Sequence, residues 1–229
     1  MINLRKYNFI GFDLDGTLIN SSNAIMSCLE KTLPKYINDK SINLKRLMPL
    51  LYPLTINQYP KYLDFQNSQR FNEFKKDFSK SFDDVYFKKV RLLPYAVDVL
   101  KASVKHFGKK NIFILTNRRF KSTMQICKYL GISDIVNTSK ISSTVDDGTN
   151  NPKTKSLKDV LIRYRFHSKF GCYIGDSDSD VESAIENDLD SIKLHNFDSQ
   201  ETGTKYYKKY GNIDLYTLSG LMELIQNDK

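Results

Sequence analysis

Two carboxylates stand one residue apart where the apolar run FIGFDLDGT ends, at Asp13 and Asp15, with Gly16 and Thr17 directly after them. Like charges held that close raise one another's energy unless a cation or a reacting group compensates. Other apolar runs end in the same way. NIFILTN closes on Thr116 and Asn117, and GCYIGDSDSD closes on Asp176, Asp178 and Asp180. NNPKTKSL places Lys153 and Lys155 at the opening of a helical pattern. Several acids at one point carry a net negative charge that a hard divalent cation with oxygen ligands would cancel. Mg2+ suits them, because it takes one or two carboxylates, keeps several waters and shares phosphate oxygens. A hydroxyl and an ammonium nearby supply donors for the remaining oxygens of a phosphoryl group.

Residues so distant in sequence converge only if their runs are neighbouring strands of one sheet. Tyr7–Phe12, Asn111–Leu115, Gly171–Ile174 and Ser191–Leu194 read as buried strands, with a shorter edge strand near Asp214–Tyr216. Helical patterns separate them, which implies right-handed βαβ crossovers and a parallel sheet covered on both faces. The fold class is therefore α/β, with a Rossmann-like parallel sheet as its core. The carboxyl edge of such a sheet is where ligands bind and where all the residues above would meet. The helix opened by Pro94 carries Val97, Leu100, Val104 and Phe107 at helical spacing and stops at Gly108. Met124, Cys127 and Leu130 mark the stripe of the next helix. STVDDGTNNPKTK is the most loop-like stretch.

Residues 21–91 differ. Ile25, Cys28, Leu29 and Leu33, then Leu44, Leu47 and Leu51, then Phe71, Phe74 and Phe78, recur at helical spacing, and no parallel-strand unit appears. This reads as an inserted helical cap domain of about three or four helices. The α/β catalytic core then comprises residues 1–20 and 92–229. Because the insertion follows the first strand, it is expected over Asp13 and Asp15. Arg46, Arg70, Lys75 and Lys76 are candidate anion contacts on it.

Composition narrows the partners. The chain has 229 residues, 40% of them hydrophobic, which suits one domain with a modest insertion. No apolar run is long enough to span a bilayer, and the N-terminus lacks a signal-peptide pattern, so a cytoplasmic protein without a membrane partner is expected. Cys28, Cys127 and Cys172 form no CxxC pair and read as reduced thiols. The net charge of +9 is spread along the chain rather than gathered in a base-reading motif. It argues against a nucleic-acid partner and for a field that draws in an anionic small molecule. Nothing fixes the oligomeric state, and a monomer is the default.

In order and spacing, DLDGTL, ILTN, a downstream lysine and GDSDSD resemble the four motifs of the haloacid dehalogenase superfamily, in its phosphatase branch. LLPYAVDVLKASVKHFGKKNIFILTN resembles the matching segment of phosphoglycolate phosphatase-like members. The resemblance implies a Mg2+-dependent phosphatase acting on a small phosphate monoester. Asp13 would be the nucleophile that forms an aspartyl-phosphate. Asp15 would be the acid that protonates the leaving oxygen and then the base that activates water, its backbone carbonyl also ligating the metal. Thr116 and the Asn117 backbone N–H would hold phosphoryl oxygens. Asp176 would complete the metal site with Asp13, and Asp180 would support it. In related sequences the helix after the motif lysine carries apolar residues at offsets of four, seven, eight and eleven. Counting from Lys153 gives Leu157, Val160, Leu161 and Tyr164, whereas Lys155 gives Asp159, Ile162, Arg163 and Phe166, so Lys153 takes the role.

Simpler readings accompany several residues. Asp178 reads as a helix cap or solvated loop residue, and His106, His167 and His195 as surface or packing residues. Arg118 and Arg119 read equally as substrate contacts or exposed helix starters. Tyr95 and Asn20 depart from the family's small residue after proline and its acid after the first motif, which leaves the substrate open. Two other activities compete: a phosphomutase on a sugar phosphate, and a phospho-accepting receiver-type signalling domain, which would lack the insertion and the second acid.

Overall fold

Phe9–Phe12 buries every residue, as a strand covered on both faces must. It opens the regular structure of the chain in a computed structural model that describes residues 4–39, 42–51, 56–144, 151–195, 213–215 and 217–227. In chain order, β1 is Phe9–Phe12, β2 Ile19–Asn20, α1 Ser22–Thr32, α2 Leu44–Leu51, α3 Ser68–Asp84 and β3 Arg91–Leu92. Then come α4 Ala96–Phe107, β4 Ile112–Thr116, α5 Phe120–Tyr129, α6 Ile132–Ile135 and β5 Ile141–Ser143. The chain continues with α7 Pro152–Tyr164, β6 Gly171–Gly175, α8 Asp178–Glu186, β7 Asp190–Leu194, β8 Ile213–Leu215 and α9 Leu218–Asn227.

Six strands form one sheet in the order β5-β4-β1-β6-β7-β8. Every neighbouring pair is parallel. β1 lies between β4 and β6, with Gly11 opposite both Phe113 and Tyr173. Adjacent strands are about 4.8 Å apart, so the carboxyl ends of these three fall within roughly 10 Å. One side is sealed by Phe9, Phe113, Leu115 and Tyr173 against Leu157, Val160 and Leu161 of α7 and Ala184 of α8. Phe166 stacks on Phe9 with ring centroids 4.3 Å apart.

Details depart from the sequence reading. Tyr7 and Asn8 precede β1, because Leu4–Lys6 forms a 3-10 turn and the Tyr7 N–H closes it on the Leu4 carbonyl. β5 has no counterpart among the strands expected from the sequence: its three residues, two of them serines, carry too little apolar signal. The final strand is Ile213–Leu215, and Tyr216 lies outside the described residues. In α5 the buried face runs through Thr123, Ile126 and Cys127, leaving Met124 and Leu130 half-buried.

The chain divides into two compact units, Met1–Ile19 with Leu92–Lys229, and Asn20–Arg91. The second is helical. Leu29, Leu33, Leu51, Tyr59, Leu63 and Phe65 pack around Phe74, and Phe74 meets the rings of Phe65 at 5.1 Å and Phe78 at 5.8 Å. Asn67 caps α3 by accepting the Arg70 N–H. Arg70 donates to the Lys35 carbonyl at 2.7 Å, and Lys75 lies over the Phe71 ring. All three cysteines are free and buried. No helix among the described residues is long and apolar enough to cross a membrane.

Candidate active site

Asp13 follows β1 directly, and its backbone N–H continues the ladder by donating to the Ile174 carbonyl at 2.7 Å. That bond fixes the carboxylate at the carboxyl edge, where Asp13 is only 4% exposed. The turn behind it closes when the Gly16 N–H donates to Ile19 and the Leu18 and Ile19 N–H groups to Leu14. Gly16 has φ +82°, and a Cβ there would overlap the Asp176 carboxylate. Glycine is therefore required twice over, by backbone conformation and by close approach.

Asp176 follows β6 and is part-buried, its carboxylate lying against Gly16 and accepting from the Thr17 hydroxyl at 3.4 Å. Ser177 then starts α8 with a capping box: its hydroxyl accepts the Asp180 N–H, and Asp180 Oδ2 accepts the Ser177 N–H at 3.1 Å. This turns Asp180 Oδ1 inward. Among the described residues, Asp13, Asp176 and Asp180 each offer a carboxylate oxygen to one cluster, all within 4.8 Å of one another.

Lys153 enters the cluster from α7. It shares the buried stripe of Leu157, Val160 and Leu161, so its side chain runs inward and is 2% exposed. Its Nζ donates to Asp13 Oδ1 at 2.6 Å and to Asp180 Oδ1 at 2.5 Å. Lys155 lies on the exposed face of the same helix. The Tyr173 phenol, which donates to the Leu115 carbonyl at 2.9 Å, also interacts with the ammonium. Burial disfavours the charged ammonium, but Asp13 and Asp180 outweigh it and hold Lys153 well above the usual lysine range.

The acids report the converse. Burial pushes the Asp13 carboxyl well up; Lys153 opposes this, while Asp180 and Asp176 add to it. Burial and then the charge of Asp180 push Asp176 up to about 7. Four carboxylates (Asp13, Asp15, Asp176 and Asp180) face two cations (Lys153 and Arg118), so two negative charges go uncompensated when all are ionised. A site like this binds protons or a divalent cation. Its all-oxygen donors suit a hard ion such as Mg2+.

Asp15 points elsewhere. Its carboxylate sits in the fork of Arg118, with Nε to Oδ2 at 2.9 Å and Nη2 to Oδ1 at 2.6 Å. Thr116, at the end of β4, is buried, and its hydroxyl accepts the Arg118 backbone N–H at 3.2 Å. Asn117 is exposed beside it. Asp178 turns away to Lys193 of β7 at 2.5 Å. The chain thus brings Asp13, Asp176, Asp180 and Lys153 into one cluster and leaves the Asp15 carboxylate in its own ion pair. The Arg118 partnership escaped the sequence reading; the only hint was an arginine two residues beyond a strand-end threonine.

A family model described as haloacid dehalogenase-like hydrolase matches residues 10–194. No curated protein sequence matches the chain significantly. Among solved structures, a predicted phosphatase from Clostridium acetobutylicum superposes with a TM-score of 0.70 at 20% identity, covering 96% of this chain and 99% of the other. A HAD family hydrolase from Deinococcus radiodurans, with bound phosphate and sodium, gives 0.69 at 13% identity, covering 97% and 96%. A Lactobacillus plantarum protein with the provisional name of phosphoglycolate phosphatase gives 0.70 at 17%, covering 95% and 99%. At these identities the likeness is one of fold.

Proposed function

Because the chain belongs to the haloacid dehalogenase-like hydrolase family, matched over residues 10–194, we propose that it is a Mg2+-dependent phosphatase acting on a small phosphate monoester. One observation carries the reading: the buried Asp13 carboxylate stands 2.6 Å from the Lys153 ammonium and in one cluster with Asp176 and Asp180. A nucleophile needs that kind of fixed, charge-balanced setting.

In this reading Asp13 attacks phosphorus and carries the phosphoryl group as an aspartyl-phosphate. Asp13, Asp176 and the Asp15 backbone carbonyl would hold the Mg2+, with Asp180 in support. When bound, the ion would offset the charge of the phosphoryl oxygens and of the carboxylates around them. Lys153 keeps Asp13 oriented and adds a fixed positive charge beside the transferring group. The Thr116 hydroxyl and Asn117 N–H would bind phosphoryl oxygens. Asp15 would give a proton to the leaving oxygen and later take one from water. The helical unit Asn20–Arg91 is proposed as the substrate-selecting cap. The same proposal places the enzyme in the cytoplasm.

The test is a panel of phosphate monoesters assayed with Mg2+ for free phosphate, beside Asp13→Asn as control. The wild type should release phosphate from at least one ester and the variant should be inactive with its fold retained. Equal activity in both proteins would remove Asp13 from its role. Isomerised sugar phosphate without net phosphate release would mark a mutase instead.

A further inference from the structure

Asn151 stands at the N-cap of α7, two residues before Lys153. An asparagine there ordinarily accepts an N–H of its own helix, and this one makes no such bond. Its side chain crosses to α8 instead. The Asn151 amide donates to the Ser179 carbonyl at 3.0 Å, one residue before Asp180. A carbonyl only accepts, so the amide nitrogen must face Ser179, which turns Oδ1 toward the Ser183 hydroxyl at 3.3 Å. Ser183 is wholly buried. Its hydroxyl proton is shared between that Oδ1 and the Ser179 carbonyl, 2.6 Å away, while its oxygen accepts from the Thr154 hydroxyl at 3.3 Å. Asn187 closes the seam, donating to the Thr154 carbonyl at 3.0 Å and the Ser183 carbonyl at 2.8 Å.

Further along α7, Leu157, Val160 and Leu161 join the apolar cluster with Tyr173 and Ala184. Apolar contact is non-directional, so it holds α7 down without fixing where it lies along α8. Hydrogen bonds do fix it, because they weaken steeply when misaligned. Lys153 needs that precision, since its Nζ meets Asp13 at 2.6 Å and Asp180 at 2.5 Å. We propose that Asn151 is a positioning residue: by bonding the first turn of α8 beside Asp180, its amide sets α7 where the Lys153 ammonium reaches both carboxylates. The consequence for turnover rests on the phosphatase reading; the placement of Lys153 does not.

Two substitutions separate positioning from capping. Asn151→Ser retains an oxygen that can cap α7 but is one bond too short to reach Ser179, and Asn151→Ala does neither. Both are compared with wild type by urea unfolding, by NMR of the lysine ammonium groups in the metal-free protein at one pH, and by kcat/KM for p-nitrophenyl phosphate with Mg2+. Wild type should show a slowly exchanging ammonium resonance that Lys153→Met lacks. Asn151→Ser should unfold at the wild-type urea concentration, yet lose that resonance and about ten-fold or more in kcat/KM. Asn151→Ala should lose both as well. A resonance unchanged in Asn151→Ser, or a variant that does not fold, would overturn the assignment. So would absence of the resonance from wild type, which would deny Lys153 the contacts described. Loss of the resonance with kcat/KM intact would support the placement and remove Lys153 from the reaction. A wild type inactive on every ester would overturn the phosphatase reading, and the resonance alone would then decide the placement.

Discussion

Lys153 Nζ lies 2.6 Å from Asp13 Oδ1 across 140 residues of chain, with both side chains almost wholly buried. Their meeting follows from two local facts. β1 ends at the sheet edge, and the apolar stripe of α7 carries Lys153 inward. Removing the ammonium should leave Asp13 and Asp180 buried and uncompensated. Lys153→Met is therefore expected to destabilise the metal-free protein by roughly 3–5 kcal/mol. The double variant with Asp13→Asn should recover part of that loss. Urea unfolding of the three proteins measures both; a neutral Lys153→Met would contradict the charge balance described above. Lys155→Met, on the exposed face, should lie within about 0.5 kcal/mol of wild type.

Gly16→Ala tests the turn. Alanine at φ +82° costs roughly 1–3 kcal/mol in backbone strain. Its Cβ would also displace the Asp176 carboxylate. Stabilisation by Mg2+ should be lost along with activity, read as a thermal shift on adding the ion. A full thermal shift in this variant would show that Asp176 is not needed where it stands.

Proton and metal should compete at Asp176. Its carboxyl titrates at about 7 in the folded chain against an ordinary 3.8, so between those values the folded state holds a proton that the unfolded state has lost. This group's contribution to metal-free stability therefore declines as pH rises through that window. Mg2+ must displace the same proton, so its apparent affinity should climb up to about pH 7 and then level off. Calorimetric titration of the wild type with Mg2+ across the range checks this, and an affinity that does not change with pH below about 7 would contradict it.

The parts of the site that local patterns encode were legible in the sequence. β1, β4 and β6 are apolar runs ending in polar residues, and parallel order brings those ends together. Lys153 was separable from Lys155 because helical periodicity buries one and exposes the other. β5 was not legible, since three residues at a sheet edge carry no period to read. The Asp15–Arg118 fork was not legible either. It joins residues 103 positions apart through side-chain directions that no local pattern specifies.

The central claim is that the Asp13 carboxylate receives the phosphoryl group. Acid quenching during turnover of a phosphate ester, followed by borohydride reduction and peptide mass analysis, reads this directly, because reduction of an aspartyl-phosphate leaves homoserine. Homoserine at position 13, absent from Asp13→Asn, is the predicted result. Phosphate release with no modification at position 13, or with the modification on another residue, would contradict the account.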